Sequence, residues 1–200
     1  MMENPNSTQA SLGRTRPLSA LAWLVALGLY LAVGSPAEPP REPAMEISNG
    51  PLSHAEIVAK LREVNPLLGR VREARVADAI LRCSDDHGLS PDTLLSIIIV
   101  ESSARPHVRS SKGAVGLMQV MPHMWRDLRA AGNIVHIESN IEAGCTILAD
   151  NVRRLGEDDG ISAYNWGSWI RSDSYLRKVK AVRETLSEQR SPRVSAGGLG

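Results

Sequence analysis

The chain has 200 residues, a net charge of +1 at pH 7 and a hydrophobic content of 42%. This length suits one domain with appendages rather than two domains, and the small net charge offers no general attraction for nucleic acid. The aromatic content is 4%, and Phe is absent. A core built from Leu, Ile, Val, Ala and Met favours helices over a β-sandwich.

The N-terminal part carries an export pattern. Residues 1–17 contain Arg14 and Arg16, and the segment 18–34 that follows has no charged side chain. Such a segment is typical of a signal peptide or of a single membrane anchor. The positive-inside rule places residues 1–17 in the cytoplasm and the rest of the chain outside it. We expect a periplasmic protein that is anchored in the inner membrane, or released from it by signal cleavage.

A linker and one domain follow this segment. Residues 35–52 are rich in Pro, Glu, Ser and Gly, which indicates an extended tether. Ser53 followed by Glu56 is a capping-box signature for a first helix to about residue 64. We therefore expect a single domain at 53–190, with a disordered tail at 191–200.

Helical signals continue through this domain. The periodicity predicts a helix at 68–87 that ends at Gly88, and Ser90-Pro91 begins a third helix that contains the apolar run LLSIIIV. That run could also be a buried strand, but its length and capping residues favour a helix. Further helices are predicted at 121–132, closed by Gly132; at 140–156, capped by Asn140; at 162–170, with a turn; and at 174–189. The predicted fold class is all-α.

Glu101 ends the most apolar of these helices. Burial and the negative end of the helix dipole both disfavour a charged carboxylate, so we expect a raised pKa. A carboxyl that keeps its proton near neutral pH is suited to general acid catalysis. The alternative is an ordinary helix-end glutamate that faces solvent.

Two cysteines, Cys83 and Cys145, lie in the exported part of the chain. A disulfide can persist there, although two buried free thiols would also fit the sequence. No C-x-x-C pattern is present, and the five histidines show no metal-ligand spacing. We expect neither a metal site nor a cofactor.

Several short motifs together resemble a known enzyme family. They are Glu101-Ser102 at the end of a helix, Ser110, Gly113-Ala114, Gly116-Leu117-Met118-Gln119, Met121-Pro122, Asn140-Ile141 with Gly144, and Ala163-Tyr164-Asn165. In this order and spacing they resemble the catalytic domain of soluble lytic transglycosylases, which are lysozyme-like enzymes that cleave bacterial peptidoglycan. The resemblance implies a lysozyme-like fold and cleavage of the β-1,4 bond between N-acetylmuramic acid and N-acetylglucosamine, leaving a 1,6-anhydro end.

The resemblance also implies roles for individual residues. Glu101 would serve as acid and then as base, because the N-acetyl group of the substrate replaces a second carboxylate. Ser110 and Gln119 would hydrogen-bond the substrate, and Met118 would line the cleft. The remaining roles belong to residues near the acid: Tyr164 and Asn165 would orient Glu101 and the N-acetyl group, and Tyr175 would lie beside Glu101. Asn140 reads more simply as a helix cap than as a substrate ligand.

The chain departs from the family pattern at two places, and two other functions stay open. Ala104-Arg105-Pro106 lacks the usual aromatic residue or Asn before the proline, and Trp166-Gly167-Ser168 replaces the common Ala-Gly-Pro. Both changes concern the shape of the cleft. The alternatives are a muramidase that delivers water with the same acid, and a non-catalytic peptidoglycan-binding assembly factor. The expected partners are glycan strands and the inner membrane, without nucleic acid.

Overall fold

The computed structural model describes residues 50–129, 131–167 and 169–190. Within these residues the chain forms seven helices and no strand: α1 His54–Val64, α2 Arg70–His87, α3 Pro91–Ser102, α4 Pro122–Asp127, α5 Ile137–Leu155, α6 Glu157–Trp166 and α7 Ser174–Arg190. Two isolated antiparallel bridges, Arg109 with Val115 and Val115 with Val120, shape the loop before α4. The predicted all-α fold class is confirmed for this part of the chain.

The predicted signal or anchor segment 18–34 lies outside the described residues, as do the segment 1–17, most of the linker and the tail 191–200. Among the helices that are described, none combines the length and the apolar character that a membrane crossing requires. The export pattern therefore stays a prediction from the sequence.

Helix α1 begins as its sequence predicts. The Ser53 hydroxyl accepts the Glu56 N–H at 3.4 Å, and the Glu56 carboxylate accepts the Ser53 N–H at 2.8 Å. The two bonds satisfy backbone donors that would otherwise lack partners at the start of a helix. The predicted capping box is confirmed.

Helix α3 lies at the centre of the domain and packs against α2 and α7. Its side chains at Leu94, Leu95, Ile97 and Ile98 have no solvent exposure. Burying an aliphatic side chain of this size contributes about 1.5–3 kcal/mol to stability. The helix prediction is confirmed over the strand alternative, although Ser90 occupies the N-cap position without a side-chain capping bond. The core thus fixes the helix that carries Glu101.

Three predicted helix boundaries are wrong. Helix α4 ends at Asp127 rather than near Gly132, because Arg129 takes a left-handed conformation with φ 50°. Helix α5 begins at Ile137, so Asn140 lies inside it and does not cap it. Helix α6 begins at Glu157, directly after α5, whereas the sequence predicted a helix and turn at 162–170.

Helices α2 and α5 are joined by a disulfide between Cys83 and Cys145, whose Cα atoms are 6.2 Å apart. The structure thus selects the disulfide over the two free thiols. Both cysteines lie in the core, so the bond cross-links two helices that also pack against each other. Helix α7 agrees with its predicted bounds to within one residue.

Candidate active site

Glu101 lies in the last turn of α3 and is partly buried. The helix ends directly after it because Ser103 and Ala104 both take left-handed conformations, with φ 51° and 55°. Such conformations are strained for residues other than glycine and concentrate near functional sites. Burial raises the pKa of Glu101 above its ordinary value. The predicted direction of the shift is confirmed, and burial is its main cause.

Tyr175, in the first turn of α7, is the direct partner of the acid. Its hydroxyl donates a hydrogen bond of 2.7 Å to Oε1 of Glu101. This bond opposes the effect of burial and lowers the pKa of Glu101. Burial and the nearby carboxylate raise the pKa of Tyr175 well above 10, so the phenol keeps its proton and remains a donor.

Tyr164, near the end of α6, binds the loop rather than the acid. Its hydroxyl donates to the carbonyl oxygen of Met118 at 2.8 Å. Burial raises the pKa of Tyr164 well above 10, and the charge of Glu101 raises it further, which places the ring near the acid. The expectation that Tyr164 orients Glu101 stays a prediction: the Tyr164 hydroxyl is used by the loop, and the hydroxyl that bonds the carboxyl is that of Tyr175.

Asn140 holds the loop that follows the acid. Its side chain is 1% exposed; Oδ1 accepts the Met118 N–H, and Nδ2 donates to the carbonyls of Val115 and Ile134, all at 2.9 Å. A Cβ atom at Gly116, which has φ 83°, would lie 2.5 Å from Nδ2 of Asn140, so only glycine fits there. The cap interpretation of Asn140 is wrong: the residue anchors the loop to α5.

Met118 is fully buried, with no solvent exposure. A Cβ atom at Gly144 in α5 would lie 2.5 Å from its sulfur, so the two residues pack tightly. The expectation that the Met118 side chain lines the cleft is therefore wrong, because this side chain fills the space between the loop and α5. Met121, the next methionine along the chain and the residue directly before α4, retains partial solvent exposure.

Ser110 and Gln119 are partly exposed on the same loop. The Ser110 hydroxyl accepts the Ala114 N–H at 3.0 Å and keeps its own proton for another acceptor. Gln119 donates through Nε2 to the carbonyls of Gly116 and Val108, at 2.9 and 3.3 Å. These bonds leave the amide oxygen of Gln119 as an acceptor.

Asn165 is exposed on α6, directly after Tyr164. The structure thus brings Glu101, Tyr164 and Tyr175 together at the ends of three helices, α3, α6 and α7. Asn165 lies beside this group. No cluster of His, Cys, Asp or Glu in the described ranges could hold a metal ion.

A separate concavity of about 950 Å³ lies at the other end of α3, where Pro91 and Asp92 line it. At 1.5 Å per residue, that end of the helix is about 14 Å from Glu101. Six of its charged side chains form three ion pairs of 2.6 Å: Arg190 with Asp92, Arg183 with Glu157, and Lys180 with Asp158. These pairs join α7 to α3 and α6, so we assign them to the stability of the domain.

The sequence contained a signal for the role of Asn140 that its cap interpretation overlooked. Asn140 falls on the apolar face of α5, between Ile137, Ile141 and Gly144, all of which are buried. A polar residue on a buried face needs hydrogen-bond partners from another part of the chain. The three bonds to the loop satisfy this need.

Comparison with protein families identifies the family to which this part of the chain belongs. The family model described as the transglycosylase SLT domain matches residues 78–184, which include Glu101, the loop, Tyr164 and Tyr175. This chain belongs to the transglycosylase SLT domain family. The match covers just over half of the chain.

Individual relatives agree with this membership. A protein named transglycosylase from Enterobacteria phage PRD1 is 31% identical over 110 residues, which cover 51% of this chain and 40% of the phage protein. The chain thus matches less than half the length of this curated relative. The likeness supports the family without fixing the activity of the whole protein.

Two solved structures share the fold. The 70 kDa soluble lytic transglycosylase SLT70 from Escherichia coli has a TM-score of 0.50 and 21% identity, over 56% of this chain and 24% of that chain. An inactive mutant of the lytic transglycosylase Slt from Pseudomonas aeruginosa has a TM-score of 0.51 and 17% identity, over 69% of this chain and 31% of that chain. The helical, lysozyme-like fold expected from the sequence is thereby supported.

Proposed function

We propose that this SLT-domain protein is a lytic transglycosylase that acts on peptidoglycan. It would cleave the β-1,4 bond between N-acetylmuramic acid and N-acetylglucosamine and leave a 1,6-anhydromuramic acid end. The observation that carries this proposal is the partly buried carboxyl of Glu101, which has a raised pKa and a single phenol as its hydrogen-bond partner.

The surroundings of Glu101 favour a reaction with one carboxyl. Retaining glycosidases place two carboxyls about 5–5.5 Å apart and inverting ones about 6.5–9.5 Å apart. A second carboxylate at such a distance would raise the pKa of Glu101 by repulsion. Within the described residues, burial raises the pKa of Glu101 and the Tyr175 bond lowers it, and neither cause is a neighbouring carboxylate. A substrate-assisted route does not need that second group.

In the first step, Glu101 donates its proton to the bridging oxygen, and the bond from this oxygen to C1 of N-acetylmuramic acid breaks. The N-acetyl carbonyl oxygen of the same sugar bonds to C1 and stabilises the cation. N-acetylglucosamine leaves with the donated proton on its hydroxyl. Burial favours this step because it keeps the carboxyl protonated beforehand.

In the second step, the Glu101 carboxylate takes the proton of the 6-hydroxyl of N-acetylmuramic acid. O6 then bonds to C1, and the bond between C1 and the N-acetyl oxygen breaks. No water is consumed, and Glu101 is protonated again. The Tyr175 hydroxyl stabilises the carboxylate between the two steps, because it donates to Oε1 at 2.7 Å.

The other exposed polar side chains would bind the substrate. Ser110 can donate its hydroxyl proton, Gln119 can accept through its amide oxygen, and Asn165 presents an exposed amide beside Tyr164. Met118 and Tyr164 would act on the substrate indirectly, by fixing the loop that carries Gln119.

We also propose that the protein acts outside the cytoplasm, as a periplasmic enzyme held at the inner membrane by residues 18–34 or released from it. The charge-free segment 18–34 supports export. The disulfide between Cys83 and Cys145 supports it independently, because disulfides persist in oxidising compartments.

The test is product analysis of purified peptidoglycan digested by the purified protein. Mass spectrometry of the released fragments distinguishes anhydro ends from reducing ends, which differ by one water molecule. Anhydro ends are expected from the wild-type protein. Reducing ends alone would assign a muramidase instead, and an absence of cleavage would favour a non-catalytic wall-binding protein.

Glu101→Gln removes the acid and keeps the size of the side chain. Because a positioned general acid contributes about 10²–10⁴-fold to the rate, we expect release of fragments to fall at least about 100-fold. Glu63→Gln is the matched control, since Glu63 is exposed and pairs only with Lys60 on its own helix. If folded Glu101→Gln retained activity close to that of the control, the acid would lie elsewhere.

A further inference from the structure

The aromatic residues of this chain are concentrated on one side of Glu101. The sequence contains four Trp, three Tyr and no Phe. Four of these seven residues lie between positions 164 and 175: Tyr164, Trp166, Trp169 and Tyr175. The core is otherwise aliphatic, and within the described residues Tyr175 is its one buried aromatic member. Tyr175 is part of the core and Tyr164 packs against it, so the two residues of the cluster that core packing does not account for are Trp166 and Trp169.

The connection between α6 and α7 carries this cluster beside the acid. Tyr164 lies before the connection, close enough to Glu101 for the carboxylate charge to raise the pKa of its phenol. Tyr175 lies after the connection, and its hydroxyl oxygen is 2.7 Å from Oε1 of Glu101. The indole N–H of Trp166 donates to the carbonyl of Ser172 at 3.0 Å and closes the connection into a loop. Both ends of the loop are thus fixed next to Glu101.

Trp169 lies within this closed loop. A chain spans at most about 3.6 Å per residue, so its Cα atom is within roughly 20 Å of both Tyr164 and Tyr175. The hydrogen bond between Trp166 and Ser172 holds the two ends of the segment around Trp169 together. Trp169 therefore belongs to the short loop whose two ends flank Glu101.

The Trp169 side chain is 83% exposed, and Ile170 beside it is 41% exposed. Indole is the largest apolar side chain, and tryptophan is enriched at binding interfaces. The polar amide of Asn165 is exposed on the same end of α6. A loop that carries an exposed indole and follows an exposed amide suits a ligand that combines apolar C–H faces with polar edges.

We propose that Trp169 is a stacking surface for a pyranose ring of the glycan strand, beside the bond that Glu101 cleaves. This inference rests on the proposed function. One face of a pyranose ring presents C–H groups, which gain dispersion contacts and lose water when they pack on an indole ring. The stacking contact itself needs no ion pair, because it is made by the C–H face of the ring. Trp169 would thus determine affinity for the strand without touching the reacting atoms.

The first experiment separates binding from turnover by using the Glu101→Gln protein. Its tryptophan fluorescence is titrated with the N-acetylglucosamine hexamer and with peptide-free glycan strands. Transfer of an exposed indole into contact with sugar shifts its emission to shorter wavelength. We expect this shift in Glu101→Gln and its loss in the double variant Glu101→Gln/Trp169→Ala, although Trp23, Trp125 and Trp166 remain.

The second experiment measures steady-state kinetics on the same strands with Glu101 intact. Aromatic contacts of this type change affinity by about three- to ten-fold, so Trp169→Ala should raise KM by about that factor. The kcat should change less than about two-fold, because the contact is the same in the ground state and the transition state. Trp169→Phe should recover most of the affinity, since it keeps an aromatic face.

Leu155→Ala provides the matched control. Leu155 is 40% exposed and is the last residue of α5, so it lies near the end of α6 opposite Trp169. A Trp169→Ala protein that binds and cleaves strands as the Leu155→Ala protein does would overturn the inference and assign the exposed indole to a different partner. Failure of the proposed function is distinguishable, since wild-type protein would then release no anhydro ends at all.

Discussion

The pairing of Glu101 with Tyr175 determines how the proposed acid responds to pH. Burial raises the pKa of Glu101, and the Tyr175 hydrogen bond lowers it by stabilising the carboxylate. A general acid reacts only while it holds its proton, so activity is lost as the pH rises through this pKa. Tyr175→Phe removes the opposing bond, which raises the pKa further. We expect the alkaline limb of the pH–rate profile to move to higher pH.

The measurement is the rate of fragment release from purified peptidoglycan across pH, on variants shown to be folded. Tyr164→Phe is the matched control, because the Tyr164 hydroxyl donates to the Met118 carbonyl and not to Glu101. Its alkaline limb should stay in place even where its rate falls. An alkaline limb that moves to lower pH in Tyr175→Phe would mean that the phenol stabilises the protonated carboxyl instead.

At the scale of single elements, α5 fixes the loop that follows the acid through Asn140. Replacement of Asn140 by Ala would leave the Met118 N–H and the carbonyls of Val115 and Ile134 without these partners. A buried polar group that loses its partner costs about 1–3 kcal/mol, so we expect Asn140→Ala to lower the free energy of unfolding by about 2–4 kcal/mol. Urea unfolding measures this loss.

Asn133→Ala is the control for this change. Asn133 is exposed, and its side chain accepts one N–H, from Val135 in the same turn. Its replacement should cost about 1 kcal/mol or less. A folded Asn140→Ala protein should also show lower activity, because the loop carries Gln119. Equal losses of stability in the two variants would contradict the anchoring role.

The helix boundaries show which parts of the fold local sequence predicts. Ser53 with Glu56, Ser90-Pro91 and Gly88 are signals within a few residues of the boundary that they predict, and those boundaries agree with the structure. The start of α5 is different, because Asn140 looks like a cap until the loop around Met118 is in place. The position of Asn140 on an apolar face indicates that it needs partners, but local sequence does not identify partners that lie more than twenty positions away.

The same limit applies to the candidate site. Glu101 was identified from the apolar helix before it, and the structure agrees with the raised pKa that this position predicts. The motif that contains Met118 predicted a segment near the acid but not which side chains point outward, because that depends on packing against Gly144. The exposure of Trp169 could not be predicted either, since it depends on how α6 and α7 meet.

For the molecule as a whole, contacts between distant residues close the domain. The disulfide joins positions 62 apart in sequence, which the chain-entropy model equates with about 4 kcal/mol of stability. At the C-terminal end of α7, Arg190 donates to the Gly50 carbonyl and binds Asp92, both at 2.6 Å. The described chain thus begins and ends near the start of α3, about 14 Å along that helix from Glu101.

These features lead to a prediction for the full chain in the cell. Residues 1–17 should face the cytoplasm, and the domain that carries Glu101 should lie on the other side of the inner membrane, because basic residues precede the charge-free segment 18–34. A domain in that compartment should contain the bond between Cys83 and Cys145. Spheroplasts treated with protease test the first expectation, and alkylation of thiols in intact cells before and after reduction tests the second.

Protease should digest the domain in intact spheroplasts, and Cys83 and Cys145 should react with the alkylating reagent only after reduction. The double variant Cys83→Ala/Cys145→Ala controls for labelling, since the sequence contains no other cysteine. Digestion only after lysis of the inner membrane, together with thiols that react without reduction, would place the domain in the cytoplasm and overturn the prediction. N-terminal sequencing of the mature protein then decides between the two fates of segment 18–34. A start near residue 35 or 38 indicates a cleaved signal, whereas an intact N-terminus in the membrane fraction indicates an anchor, because only the uncleaved segment can hold the domain at the bilayer.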